Sequence, residues 1–527
     1  VKLNWKKNIY DGNSSYYTRD AYTYYDSTNW LPQYIYKTGT NANGLTIEQI
    51  TQYYQYTECT SQSNIWRVAL ERVTGAATGL ARKMTYGYDS NGNMTSKTFW
   101  KTETTYYSPA ITYGYDDDFG NMTSETDGLS HTTSIEYDTA TKTFPWLITD
   151  AKGYVTTKLW NYKFGKEEKI IDINNNKTLF TYDFFGRTDT ITNKNSAETV
   201  VVGLTDYNYN DTGFPRSIVT RVLESGSQYI DKYEYFDGLD RPVKTTTNGI
   251  NNSGAAKQVI TDISYDIMGR KKKVEGPYFY GTGSGSRYYE QTLYDKLGRV
   301  TSVTSPDGEY GVVTIGYTYP NAFTTIITDP DNRQKTEKRD HLGRIIQVIE
   351  HANTGNQTTG YSYNAAGDMK GVVNALAIST TITYDASGLK TYMNDPDMGA
   401  WYYTYDSNRN LKTQKDAKNQ IITFNYDQLN RVSQKVYSTS DPTVNYYYDS
   451  ATNGKGRLYR VTNSNVNTYY NQYDEMGRVR NVTKTITGDL ARLTQTSYDL
   501  SGKVTSVIYP DNYTVNNYYY PGTGLLY

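Results

Sequence analysis

Along most of the chain, large apolar and polar positions alternate with a period of two, and short turns rich in Asp, Asn, Gly and Pro interrupt the alternation. Tyr86/Tyr88, Tyr113/Tyr115, Tyr207/Tyr209, Tyr233/Tyr235, Tyr361/Tyr363, Tyr403/Tyr405 and Tyr446/Tyr448 each put two rings on one face of a strand, because alternate side chains share a face. Phe180/Tyr182, Ile263/Tyr265, Ile382/Tyr384 and Phe424/Tyr426 keep the pattern with other large apolar partners. The shortest complete unit predicts a strand over 411–415, a turn over 416–419, a returning strand over 421–426 and a turn over 427–430 into the next unit. Two strands and two turns per unit, repeated in series, predict an all-β fold of antiparallel hairpin repeats. Sheet twist would bend so long a ribbon into a curve.

The units are marked by a recurring phrase. Its clearest copy is Tyr294-Asp295-Lys296-Leu297-Gly298-Arg299, and related copies are Tyr88-Asp89 with Gly92, Tyr182-Asp183 with Gly186-Arg187, and Tyr265-Asp266 with Gly269-Arg270. Further copies are Gly343-Arg344, Tyr426-Asp427 with Arg431, and Tyr473-Asp474 with Gly477-Arg478. Tyr363, Tyr384, Tyr405 and Tyr426 fall 21 residues apart, and two double-length gaps hold worn copies at Tyr162–Lys166 and Tyr319–Asn321. About eighteen units result. Residues 86–527 are read as this array, and residues 1–85 as an irregular leading segment, β in character and continuous with it. The stretch 46–54 favours a strand over a helical turn through its Thr and Tyr content. Extra residues collect in Gly/Ser/Asn runs at 248–254 and 281–286, expected as loops between strands.

Turn chemistry explains the phrase. Asp at its first turn position can accept a backbone N–H two residues on, and Gly at the fourth tolerates positive φ. Asp240 and Asn430 replace that glycine with the residue types next most tolerant of the left-handed region. The arginines that follow, Arg187, Arg270, Arg299, Arg344, Arg431 and Arg478, form either an anion-binding ladder or partners for the turn aspartates. The near balance of 54 Lys plus Arg against 55 Asp plus Glu favours the second reading.

Composition narrows function more than it defines it. The balanced charge supplies no field for nucleic acid or an anionic membrane, and no stretch approaches the ~20 apolar residues of a membrane helix. Tyrosine is abundant, with 58 residues against 12 Phe and 7 Trp, and suits a thin sheet in which a ring is buried while its hydroxyl keeps a partner. Cys59 is the one cysteine, so an intrachain disulfide and a cysteine-based zinc site are excluded. His131, His341 and His351 are scattered, and no metal or other cofactor is expected. The aspartates of Asp329-Pro330-Asp331 and Asp395-Pro396-Asp397 occupy the second turn of their repeats, and no catalytic constellation is expected. The chain opens Val1-Lys2-Leu3-Asn4 without a signal segment, which reads as part of a longer or processed polypeptide.

The spaced Tyr-Asp-x-x-Gly-Arg phrase, with a second tyrosine two residues earlier, resembles the YD-repeat or Rhs (rearrangement hotspot) family from about Tyr86 to Tyr520. The family includes bacterial polymorphic toxins, shell-forming parts of insecticidal toxin complexes, and teneurin adhesion proteins. The resemblance implies a ribbon wound spirally into a hollow shell. It also implies a non-enzymatic scaffold, exported or at the cell surface, that encloses or displays another polypeptide such as a toxin effector. Implied partners are the remainder of a longer parent chain or neighbouring subunits. A second reading is an adhesin or fibre module that binds glycans through exposed tyrosines. Tyr518-Tyr519-Tyr520-Pro521-Gly522 lacks the Arg and Asp of the family's shell-closing segment, so self-cleavage is not carried over to any residue.

Overall fold

In the shortest unit, strands Leu411–Lys415 and Ile421–Tyr426 form where apolar and polar side chains alternate, and the Asp-x-x-Asn runs after each of them turn the chain. Thr413 faces Thr423, and Tyr405 faces Leu411 across the preceding hairpin, so each strand pairs with its sequence neighbours. The structure is a computed structural model that describes residues 5–10, 13–24, 31–40, 48–59, 65–251, 253–308, 311–353 and 355–527. These residues hold 42 β-strands and one short 3-10 turn at Ser284–Ser286. The fold is all-β, with antiparallel hairpins joined in series.

Within 1–85, strands Pro32–Gly39, Ile50–Glu58, Trp66–Gly75 and Gly79–Tyr88 pair in order, and the last continues into Met94–Phe99. The strand expected over 46–54 begins at Ile50. Glu48 instead turns its carboxylate to the backbone N–H of Thr78, 2.6 Å away, while Thr46 and Ile47 lie outside the described residues. The Gly/Ser/Asn run at 248–254 is only partly a loop. Pairing of Asn248, Gly249 and Ile250 with Gln258, Lys257 and Ala256 extends the hairpin through it, because continued ladder bonds satisfy the backbone there. Both double-length gaps contain four strands, and the worn copy at Tyr162–Lys166 turns through Gly165, whose N–H donates to the Asn161 carbonyl at 2.9 Å.

The chain divides into two compact units. One comprises Val1–Ile135, Asp150–Lys152 and Ile315–Asp441, and the other Glu136–Thr149, Gly153–Thr314 and Pro442–Tyr527. Each unit contains an earlier and a later stretch of ribbon. In the first, Ile50, Val73 and Ala81 of the earlier stretch pack with Ala365 of the later one as a small apolar core. In the second, Leu223 and Ile260 are buried.

Candidate functional site

The repeat phrase is the densest cluster of functional groups, and its geometry follows from one bulge. At its clearest copy Leu293 faces Ser302 but Tyr294 faces Val300, and the shift leaves Asp295–Arg299 as the turn. The Asp295 N–H donates to the Arg299 carbonyl at 2.9 Å, and the Gly298 N–H donates to the Asp295 carbonyl at 3.0 Å. Asp295 Oδ1 accepts the backbone N–H groups of Leu297 and Arg299, each at 2.9 Å, and Oδ2 accepts Arg299 Nε at 2.7 Å. One carboxylate therefore fixes the turn and holds the arginine. Gly298 has φ of 83°, in the left-handed region that glycine enters without strain. A Cβ there would also sit 3.3 Å from Arg270 Nη1, so glycine clears the path of the preceding repeat's arginine.

That arginine joins one repeat to the next. Arg270 is bound by Asp266 through Nε at 2.7 Å, and its guanidinium carbon lies 4.3 Å from the centre of the Tyr294 ring. The Tyr294 hydroxyl donates to the Lys271 carbonyl at 2.9 Å. The same relay recurs with Arg187 over Tyr209 at 4.0 Å, Arg241 over Tyr265 at 4.4 Å, Arg344 over Tyr363 at 4.8 Å and Arg478 over Tyr498 at 4.7 Å.

The other sequence-identified residues take the same places. Arg187, Arg344, Arg431 and Arg478 bind Asp183, Asp340, Asp427 and Asp474 of their own turns. Tyr88, Tyr182, Tyr265, Tyr426 and Tyr473 donate to the carbonyls of Val68, Glu167, Pro242, Leu411 and Leu458 in the preceding unit. Gly92, Gly186, Gly269, Gly343 and Gly477 share the positive φ of Gly298. After Asp89 the arginine position is held by Asn93, whose side-chain amide donates to Asp89 Oδ2 at 2.9 Å. At Asp240 the residue standing in for glycine is a carboxylate, and it captures Arg216 from the preceding unit.

These contacts set the electrostatics. The Arg270 side-chain hydrogen bond, with backbone donors and against burial, holds Asp266 below the ordinary carboxylate range. Burial acts first on the tyrosines, with neighbouring carboxylates adding to it, so Tyr405 is pushed up to about 12. The motif thus favours ionised aspartate and neutral tyrosine.

A second set of polar groups joins distant stretches inside each unit, and sequence reasoning did not find it. In the first unit Arg82 Nη2 reaches both carboxylate oxygens of Asp368 at 3.0 Å, and the buried Tyr107 hydroxyl donates to Asp385 Oδ2 at 2.6 Å. The Lys83 N–H donates to the Ala386 carbonyl at 2.8 Å, and Lys152 Nζ lies 3.2 Å from Asp427 Oδ2. In the second, Asn174 pairs with the backbone of Lys455 in both directions, and Glu224 receives Lys503 and the Gly522 N–H. The only local signal was the small Ala365-Ala366 and Ala386-Ser387 pairs at those turn tips.

A cavity of about 380 Å³ is lined by Tyr107, Tyr384, Tyr403, Tyr405, Lys101 and Asp385 among others. Tyr107, Tyr384 and Tyr405 already spend their hydroxyls on Asp385 and on the Met369 and Lys390 carbonyls. Among the described residues, no group of three or more His, Cys, Asp or Glu could hold a metal ion, and no helix is long and apolar enough to cross a membrane.

Comparison with solved structures decides the fold. The chain superposes on a crystal structure of TcdB2-TccC3 with a TM-score of 0.80 and 13% identity, covering 97% of this chain and 35% of that one. Over its own length the chain has the fold of the matched part of that structure. The same fold is matched in TcdB2-TccC3 without its hypervariable C-terminal region, at a TM-score of 0.79 and 12% identity, over 97% of this chain and 37% of that one. The Tc holotoxin pore of Photorhabdus luminescens gives the same TM-score, identity and coverages. The chain therefore spans about a third of the length of the solved chains it matches. A family described as a domain of unknown function, DUF6443, matches residues 215–310. No curated protein matches the sequence.

Proposed function

We propose that the chain is a non-enzymatic wall section of a YD-repeat shell, in an exported or cell-surface bacterial protein, that encloses or displays another polypeptide. The carrying observation is that the repeat's chemical groups are spent on one another. At the Asp266 copy the aspartate binds its own turn and arginine, that arginine covers Tyr294, and the Tyr294 hydroxyl caps a carbonyl of the preceding unit, and the arginine–tyrosine contact recurs at Arg187, Arg241, Arg344 and Arg478. This is the economy of a scaffold, in which neighbouring repeats supply the stability. Supporting it, the fold is shared over 97% of the chain with TcdB2-TccC3.

The same observation separates the scaffold from a glycan-binding module. A sugar needs an open ring face, and Tyr209, Tyr294 and Tyr363 each have a guanidinium group over theirs. Limited proteolysis of the full open reading frame, with cryo-EM of the product, tests the proposal. Expected is a hollow wall with a linked polypeptide protected inside or held on it. A solid particle with no concave face and equal cleavage throughout overturns it.

A further inference from the structure

The chain has three histidines, and histidine is the side chain whose ordinary pKa places its charge change between pH 5 and 8. Two of them have polar partners. His131 Nδ1 lies 3.1 Å from Asp127 Oδ2, and the His351 ring nitrogens meet the Thr336 hydroxyl at 2.9 Å and the Asn356 side-chain oxygen at 3.1 Å. His341 differs. It is 7% exposed, and neither of its ring nitrogens, both buried, has a hydrogen-bond partner among the described residues. A neutral imidazole in this state forgoes one donor and one acceptor bond, whereas an imidazolium would hold a buried charge with two unmet donors.

The place of the ring in the fold gives this a consequence. His341 stands at the tip of the Asp340–Arg344 turn and lies on Gly39, the last residue of strand Pro32–Gly39 in the same unit. A Cβ on Gly39 would overlap the His341 side chain, so the two stretches meet there without a side chain between them. The adjoining Thr40 is 2% exposed, its N–H donates to the Tyr17 carbonyl at 3.0 Å, and its hydroxyl accepts the Tyr17 N–H at 3.1 Å. His341 thus sits in the seam between residues 17–40 and 340–344. The charged groups around it are spent or opposed. Asp340 Oδ1 accepts the N–H groups of Leu342 and Arg344, and Oδ2 accepts Arg344 Nε at 2.7 Å. Asp20 and Lys37 act on the ring from strands Asn13–Tyr24 and Pro32–Gly39 with opposite sign, as Asp340 and Arg344 do from its own turn. Glu48, which shares a cavity with Asp340 and Arg344, is held by the Ala77 and Thr78 N–H groups. Burial is the largest influence and pushes the imidazole below its ordinary 6.5.

We propose that His341 is an acid-operated latch, which holds strands Asn13–Tyr24 and Pro32–Gly39 against the Asp340–Arg344 turn at neutral pH and releases them when the ring takes up a proton. A solvent proton adds to one ring nitrogen, the imidazolium carries two N–H donors, and both are met when the ring leaves the seam for water. The contribution of the latch is complete above pH 6.5 and is lost as pH falls toward the lowered value of the buried ring. Turn carboxylates elsewhere do not respond in this range. Asp89, Asp127, Asp266 and Asp427 are held below the ordinary 3.8 and keep their charge.

Hydrogen exchange of the full chain at about pH 7.5 and about pH 5, corrected for the intrinsic pH dependence of exchange, tests this. In the open form the ring has its ordinary pKa, so exchange of the Tyr17, Thr40 and Leu342 amides is expected to rise by up to about 30-fold at the lower pH. Exchange of the Gly298 amide, in the other unit, is expected to stay unchanged. His341→Leu removes the titrating group and is expected to show equal protection at both pH values. His341→Gln keeps a buried polar group that does not titrate, and is expected to show lower protection than the unaltered chain at neutral pH with no further loss in acid. His131→Leu and His351→Leu are expected to retain the full response. Equal protection of the unaltered chain at both pH values overturns the proposal. So does an acid-induced loss that persists in both His341→Leu and His341→Gln, which would assign the response to other groups.

Discussion

The Arg270 guanidinium covers the Tyr294 ring at 4.3 Å while the Tyr294 hydroxyl closes on the carbonyl of Lys271, the residue that follows that arginine. Two repeats are thus locked by one side chain from each. The pair is coupled, because Tyr294 fixes the backbone that aims Arg270. Tyr294→Phe is expected to cost about 1 kcal/mol for the lost hydrogen bond, and Arg270→Ala about 1–3 kcal/mol for the loss of a charge-assisted bond and the ring contact. A double-mutant cycle by urea unfolding is expected to give coupling of about 0.5–1 kcal/mol; additive losses would refute the relay.

Gly298 answers to two constraints, its φ of 83° and the Arg270 side chain 3.3 Å from where a Cβ would stand. Gly298→Val is expected to cost on the order of 1–3 kcal/mol, and Gly298→Asn less, as Asn430 already adopts φ of 58° at the same turn position. Hydrogen exchange at the Asp295 and Gly298 amides should rise in the valine variant well above the asparagine one.

Burial and neighbouring carboxylates push Tyr405 to about 12 and raise Tyr384 and Tyr426 in the same direction, from the ordinary 10.0. The folded chain therefore holds these protons more tightly than the unfolded chain. Their contribution to stability is complete below pH 10 and is lost as pH rises toward about 12. Unfolding followed by circular dichroism is expected to coincide with a steep rise in tyrosinate absorbance within that window. Gradual ionisation with the sheet intact would contradict the ladder.

Asp266 and Asp237 are held below the ordinary carboxylate value of 3.8, foremost by the side-chain hydrogen bonds of Arg270 and Arg241. Here the folded state releases its protons more readily. The associated stability is present above pH 3.8 and disappears as pH falls through the lowered values. Acid titration of Arg270→Gln is expected to show a shallower loss of stability below pH 4 than the unaltered chain.

Tyr107 and Asp385 join two stretches of the first unit through a buried 2.6 Å hydrogen bond. Asp385→Ala leaves that hydroxyl unpaired and removes the acceptor that fixes the 385–389 turn, at an expected cost of about 1–3 kcal/mol. Exchange of the Lys83 and Ala386 amides, which lie at the same junction, should increase while that of Gly298 in the other unit stays unchanged.

The sequence by itself determined the strands, the turns and the pairing of neighbours. Leu411–Lys415 and Ile421–Tyr426 were legible to the residue, because period-two alternation and Asp-x-x-Asn turns act within about ten residues of chain. It also favoured pairing of the arginines with turn aspartates, because 54 Lys plus Arg nearly balance 55 Asp plus Glu. It left open where each arginine goes next. Stacking of Arg270 on Tyr294 depends on the bulge that sets strand register, which no residue type announces.

Only the tertiary structure decided which turns are covered. Arg82 and Asp368, Tyr107 and Asp385, and Glu224 and Lys503 are each more than 270 residues apart, and no local pattern specifies such partners. The chemistry of Phe184, Ile267 and Leu297 could be read from the sequence, but their exposure could not. Hydrophobicity is a property of the residue, whereas burial depends on what the fold brings against it.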